Sequence, residues 1–149
     1  CPGQLVISGE KGRVEDAAGA LREQGVKRVI VLTVDGAFHS PLMQSAAEGF
    51  ADVLANCGFQ RPSCPVVQNV SGTAEEDPGA IKKNLEKQIT GSVQWEKCVR
   101  RMIDGGVDLF IEFGPGTVLS GFMRRIDRSV PTCNVGSVED LEKAAEALA

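Results

Sequence analysis

Short runs of β-branched and aliphatic residues alternate with apolar stripes at helical spacing along nearly the whole chain, and this alternation restricts the fold more than any other feature. "QLVIS" (Gln4 to Ser8) and "RVIVLTV" (Arg28 to Val34) read as strands, with Val14, Ala17, Ala18 and Leu21 forming a helical stripe between them that Gly25 ends. "PVVQNV" (Pro65 to Val70), "DLFIEF" (Asp108 to Phe113) and "TCNV" (Thr132 to Val135) supply three further strands. Strands separated by helices favour an α/β fold with a largely parallel sheet, in which functional groups collect beyond the strands' C-terminal ends.

Helix boundaries follow from proline, glycine and capping residues. Pro41 suits a first helical turn, where its missing N–H costs nothing, and Leu42, Met43, Ala46, Ala47, Phe50, Val53 and Leu54 continue as one stripe until Gly58. "SGTAEED" reads as a polar turn, after which Asp77 caps a helix with Pro78 at its first position and Ile81, Leu85 and Ile89 facing inward. Trp95, Val99, Met102 and Ile103 mark the next helix, which closes at Gly105-Gly106. "GPG" (Gly114 to Gly116) turns sharply into a helix with Val118, Leu119, Phe122, Met123 and Ile126 along one side, and Ser137 caps a last helix through Leu141, Ala144, Ala145 and Leu148.

A chain of 149 residues, 42% hydrophobic and 24% charged, can bury a core of its own. Its net charge of −4 leaves no basic excess to neutralise a phosphate backbone, which argues against nucleic-acid binding. No apolar run approaches the roughly 20 residues of a membrane span, and no secretion signal is visible, so a reducing intracellular compartment is expected and no membrane partner. Five cysteines lack C-x-x-C spacing and have only one histidine to join them, so no metal site is expected; they read as small, mostly buried hydrophobes. Gln4 to Ser8 already reads as a strand at the very start of a chain that opens on Cys1, as expected of a piece of a longer protein.

The single histidine, His39 in "VDGAFHSPLM", lies just past a strand's C-terminal end and before a helix. An unperturbed histidine titrates near pH ~6.5 and can take a proton from a hydroxyl or thiol and return it, so it is a candidate general base. A polar loop histidine bonded to the backbone is the alternative. A base needs a nucleophile, yet no G-x-S-x-G elbow exists among the nine serines. Ser40 opens a proline-led helix and reads as its cap. The glycine-rich "EFGPG" invites comparison with an anion-binding loop. It carries neither nucleotide-binding glycine pattern, and a tight turn closing the strand onto its helix fits better.

Five motifs in order go further. "CPGQLVISG" (Cys1 to Gly9), "GAFHSPLM" (Gly36 to Met43), "PVVQNV", "QITGSVQW" (Gln88 to Trp95) and "EFGPGTVLSGFMRRI" (Glu112 to Ile126) closely resemble the C-terminal half of malonyl-CoA:acyl carrier protein transacylases, from Cys1 to about Asn134. The resemblance implies an acyltransferase of type II fatty acid synthesis. Such an enzyme moves malonyl from malonyl-CoA to the phosphopantetheine thiol of acyl carrier protein through a malonyl-serine intermediate, with no further cofactor. It implies a large hydrolase-like parallel-sheet subdomain and a small ferredoxin-like one. Residues 1–35 would supply the last strand-helix-strand of the small subdomain, and residues 36–149 the second part of the large one.

By the same resemblance His39 matches the catalytic histidine, and Gln88 matches the glutamine whose main-chain carbonyl orients the imidazole. Phe38 matches a residue whose ring crowds the place of an α-methyl group and so favours malonyl over methylmalonyl. The nucleophilic serine, the oxyanion-hole glutamine and the arginine that clamps malonate would belong to an N-terminal half, a required partner without which this chain is expected to be inactive. Asp35 and Ser92 depart from the common serine and proline of the family motifs. A polyketide synthase acyltransferase fragment and a non-catalytic α/β binding module are the rivals. A bacterial cytoplasm is the expected location, with plastid stroma or mitochondrial matrix as alternatives.

Overall fold

The computed structural model describes residues 1–148, which form a mixed α/β chain. It divides into two compact units, one of Val6–Gln94 and the other of Cys1–Leu5 with the chain from Trp95 onward.

In the first unit, helix α1 (Lys11–Glu23) is followed by a single 3-10 turn at Pro41–Met43 that runs into α2 (Gln44–Ala55). Strands β1 (Val66–Gln68) and β2 (Thr73–Glu75) pair antiparallel, Val67 opposite Ala74, and lead into α3 (Pro78–Thr90). The segment expected to be only a polar turn therefore contains a strand. Ser71 makes this possible, its hydroxyl accepting from the Thr73 N–H at 3.2 Å as the chain reverses. Asp77 caps α3 as expected, its Oδ2 accepting from the Ala80 N–H at 2.7 Å with Pro78 in the first turn. Buried Gln68 ties β1 to this helix. Its Nε2 donates to the Ile81 carbonyl at 3.1 Å while its Oε1 accepts from Asn84 at 3.0 Å, so a polar side chain enters the interior fully engaged.

In the second unit, α4 (Trp95–Asp104), β3 (Phe110–Phe113), α5 (Val118–Ile126), β4 (Thr132–Val135) and α6 (Val138–Ala147) follow in order. Strands β3 and β4 are parallel, Phe110 opposite Thr132 and Phe113 opposite Val135, with α5 as the crossover between them. Val99 is fully buried and packs with Met123 and Ile126, flanked by Trp95, Met102, Ile103, Phe110 and Val130. Burying each of the three central side chains contributes about 1.5–3 kcal/mol. The inward face of α5 is Ser120, Met123 and Ile126, whereas Val118 and Leu119, expected inside, are exposed. The helix is turned by an anchor on Ser120 that hydrophobic spacing does not reveal, described below. In α6 the expected stripe is likewise reduced to Ala144, with Leu141 and Leu148 exposed.

The two leading apolar runs differ from expectation. Neither Gln4 to Ser8 nor Arg28 to Val34 joins a ladder among the described residues, and Leu5 is 91% and Ile30 60% exposed. A strand is completed by the N–H and C=O groups of a neighbour, and these β-branched runs have none here. Among the described residues no helix is long and apolar enough to cross a membrane.

Candidate functional site

The segment Gly36 to Ser40 is held by two side-chain bonds to its backbone. Ser8 Oγ donates to the Phe38 carbonyl at 2.6 Å, and Ser40 Oγ donates to the Ala37 carbonyl at 2.7 Å. Ser40 also accepts from the Leu42 N–H at 3.3 Å, which makes it the expected cap of the following turn. Between these anchors His39 adopts φ +60°, the left-handed region, and among the described residues it is the only non-glycine to do so. That conformation costs roughly 1–2 kcal/mol for a residue with a Cβ, so the surrounding bonds must impose it.

His39 Nδ1 lies 2.9 Å from the Gln88 main-chain oxygen. A carbonyl can only accept, so Nδ1 carries the proton in this contact and Nε2 presents its lone pair. The partner is available because of where Gln88 sits. The last four carbonyls of a helix have no intrahelical donor. Near the end of α3 the Lys87 carbonyl is closed by the Gly91 N–H at 2.9 Å, and the next one along accepts from His39. Gly91 leaves no room for a larger residue, since an added Cβ would stand 2.8 Å from both the Lys87 oxygen and Val70 Cγ2. The imidazole is exposed, and Nε2 makes no hydrogen bond among the described residues. A base of this geometry can take a proton from a group brought to Nε2 while its ring stays fixed through Nδ1.

Phe38 precedes it with its side chain exposed. Its ring lies over Gly36, where an added Cβ would come within 3.2 Å of the ring edge, so the bare α-carbon of Gly36 makes room for the aromatic. The structure thus brings His39 and Gln88 into contact, with Phe38 next to His39 in the chain.

The Gly-Pro-Gly turn has a different outcome. Gly114 and Gly116 take φ +119° and +93°, open to glycine and strained for other residues, and reverse the chain from β3 into α5. The helix N-terminus that results is already filled. Glu112 Oε1 accepts from the Leu119 N–H at 3.0 Å, and its Oε2 accepts at 2.8 Å each from the Ser120 N–H, the Ser120 hydroxyl and Asn134 Nδ2. Thr117, at the cap position, makes no side-chain cap bond, so a carboxylate from the preceding strand takes over that role. The Ser120 N–H above all, with the Leu119 N–H, the Ser120 hydroxyl and Asn134, holds the Glu112 carboxyl down at about 2 against a smaller opposing effect of burial. The turn closes strand onto helix, as expected, and its anion site is occupied from within. Sequence reasoning missed Glu112, whose partners lie seven to 22 residues away.

The cysteine expectation needs correction. None of the five is in a disulfide, but only Cys98 is buried, and burial pushes its thiol up; Cys1 and Cys133 are half-buried, and Cys57 and Cys64 are exposed. Cys57 follows the C-terminal end of α2 and Cys64 directly precedes Pro65, positions that face no core. Among the described residues no group of three or more His, Cys, Asp or Glu side chains could hold a metal ion. Arg100 pairs along its own helix with Glu96, and Arg125 reaches Gln4 at 3.3 Å, ordinary roles for surface cations. Trp95 packs against the Val99 cluster, as its position in an apolar stripe suggested.

Comparison with known proteins adds a second line. The chain is 41% identical over 148 residues to the malonyl CoA-acyl carrier protein transacylase of Bacillus subtilis (strain 168), a match covering 99% of this chain and 47% of that protein. The enzyme of the same name from Staphylococcus aureus (strain COL) is 40% identical over 142 residues, 95% of this chain and 46% of that one. The chain is a homologue of malonyl CoA-acyl carrier protein transacylases. It spans about half the length of the curated transacylases it matches. Solved transacylase structures agree. An acyl-carrier-protein-S-malonyltransferase from Bartonella henselae superimposes with a TM-score of 0.89 at 36% identity, over 94% of this chain and 45% of that one. A malonyl-transacylase solved in complex with its holo type II polyketide synthase acyl-carrier protein gives 0.87 at 36% identity, over 93% and 45%. No family model matches the chain.

Proposed function

We propose that this chain is the C-terminal portion of a malonyl-CoA:acyl carrier protein transacylase and contributes the general base of a serine-histidine mechanism. One observation carries the assignment of the base: an exposed His39, held left-handed, spends Nδ1–H on the Gln88 carbonyl and leaves Nε2 open. A serine supplied by the N-terminal half would give its proton to Nε2 as it attacks the thioester carbon of malonyl-CoA. The proton then passes to the departing CoA thiolate. In the second half-reaction Nε2 takes the proton of the carrier's phosphopantetheine thiol, which attacks the malonyl ester, and returns it to the serine oxygen. The Gln88 carbonyl holds the tautomer and faces the ring where positive charge develops, the part a carboxylate plays in a Ser-His-Asp triad. Phe38, beside the base and with its ring exposed, would occupy the space of an α-methyl group and exclude methylmalonyl units.

This reading also accounts for the leading apolar runs. Residues 1–35 would complete a ferredoxin-like small subdomain and residues 36–149 a hydrolase-like parallel sheet, each using strands of the N-terminal half as neighbours. The exposed β-branched residues of 28–34 support it, because they are strand-forming in sequence and lack a ladder here. The place of work would be a bacterial cytoplasm, in type II fatty acid synthesis, with acyl carrier protein as partner.

Denaturing mass spectrometry after brief incubation with malonyl-CoA tests the assignment. The chain alone is expected to stay unmodified, and coexpression with the N-terminal half is expected to place one malonyl group on that half. A malonyl adduct on this chain would sink the reading, because the nucleophile would then be here.

A further inference from the structure

We propose that Ser8 is a positioning residue for His39: its hydroxyl holds the Phe38–His39 peptide in the orientation that keeps His39 left-handed and its Nδ1 on Gln88. The inference rests on His39 being the base, as above. The geometry is specific. Ser8 Oγ donates at 2.6 Å to the Phe38 carbonyl, the oxygen of the peptide group that joins Phe38 to His39. Rotating that peptide changes ψ of residue 38 and φ of residue 39 together. A flip would carry His39 from φ +60° to the negative φ that residues with a Cβ prefer, and would swing the Phe38 oxygen away from Ser8. The relaxed backbone and the productive ring position therefore compete, and the Ser8 bond weighs on the side of the latter.

Among the described residues no other hydrogen bond acts on this peptide group. Ser40 is engaged with the Ala37 carbonyl and the Leu42 N–H, one peptide earlier and one turn later. The Gln88 contact is made by the ring and does not reach the Phe38 carbonyl. Ser8 precedes α1, thirty residues upstream of Phe38, so the tether is tertiary and leaves no local trace in the sequence. Its side chain is exposed, so truncation removes the bond with little packing.

The test uses the full-length enzyme with Ser8→Ala, Ser8→Thr and, as reference, His39→Ala, reading malonyl transfer and the low-field proton resonance of the His39 Nδ1–H···O bond. Ser8→Ala is expected to lower kcat about tenfold with KM for malonyl-CoA unchanged, because the base is displaced and the thioester is not. The low-field resonance should weaken in step, and Ser8→Thr should restore both. Wild-type kcat and resonance in Ser8→Ala would overturn the proposal. So would a fall in kcat with the resonance intact, or a Ser8→Thr variant as impaired as Ser8→Ala, since either would mean that the hydroxyl does not act through His39. Failure of the underlying reading is separate: His39→Ala with full transfer would remove the base, while the resonance in Ser8→Ala would still report whether the tether holds the ring.

Discussion

At residues 113–118 an apolar run turns into a helix through Gly-Pro-Gly, and at residues 34–41 another does so through Gly-Ala-Phe-His-Ser. Both bends use the left-handed region, the first at two glycines and the second at a histidine. The first ends with a fully engaged carboxylate: Glu112 fills the helix N-terminus, and Asn134 and the Ser120 hydroxyl complete its partners. The second ends with an exposed imidazole whose Nδ1 is spoken for and whose Nε2 is open. Strain accepted at a residue that glycine could replace more cheaply, together with an unengaged polar atom, marks chemistry, whereas a saturated carboxylate at glycine-borne bends marks construction.

Exchanging damage between the two bends would break this comparison most directly. His39→Ala in the assembled enzyme is expected to lower malonyl transfer by about 10²–10⁴-fold with the thermal unfolding midpoint unchanged, as measured by steady-state kinetics and calorimetry side by side. Glu112→Ala is expected to do the reverse, lowering the midpoint because the Leu119 and Ser120 N–H groups lose their acceptor, while the chemical step at His39 keeps its pH dependence.

Acid titration sharpens the point. The folded state holds the Glu112 carboxyl at about 2 against an ordinary 4.5, so its contribution to stability is fully present above the ordinary value and is lost as pH falls from there toward 2. Asp127, Glu139 and Asp140 are also lowered, by Ser129, by the helix N-terminal backbone and by Ser137 respectively, and share the same direction. The part due to Glu112 is therefore the difference between wild type and Glu112→Gln: urea unfolding between about pH 5 and about pH 2.5 should show a shallower loss of stability in the variant. Parallel slopes would mean that the carboxylate is not engaged as described.

Smaller changes probe the supports. Gly91→Ala puts a methyl group against the Lys87 carbonyl and Val70, and should cost about 1–3 kcal/mol in denaturant unfolding while shifting the neighbouring Gln88 carbonyl that His39 uses. Asp77→Ala removes an ordinary local cap of the same helix at its other end, and about 0.5–2 kcal/mol with no change in transfer is the expected result. If Asp77→Ala impaired transfer as much as Gly91→Ala, the placement of Gln88 would depend on the whole helix and not on its last turn.

Much of this was legible in sequence because it is local. The Asp77-Pro78 start of α3, the Ser40 cap, the Gly105-Gly106 stop and the "TCNV" strand each depend on residues within a turn of one another, and the structure has them where periodicity and capping put them. The orientation of α5 was not legible, because Glu112 turns it by binding Ser120 from another element. Gln4 to Ser8 and Arg28 to Val34 read as strands from their β-branched composition and form none, because a ladder needs a second strand and none lies beside them among the described residues. The cysteines were misjudged because average burial of a residue type says little about a residue beside a helix end or a proline.

The sequence by itself determined the order of helices and turns, the presence of one histidine just beyond a β-rich run, and a likeness to transacylases that the relatives bear out over half their length. These are properties of neighbouring residues, set by dihedral preferences and by which side chains can cap a helix. Only tertiary structure decided which nitrogen of His39 is free, that the Gln88 carbonyl has no helical partner of its own, and that Ser8 grips the peptide in between. Hydrogen bonds across 30 and 49 residues leave no periodic trace in a sequence, because their partners are chosen by where the packed elements end.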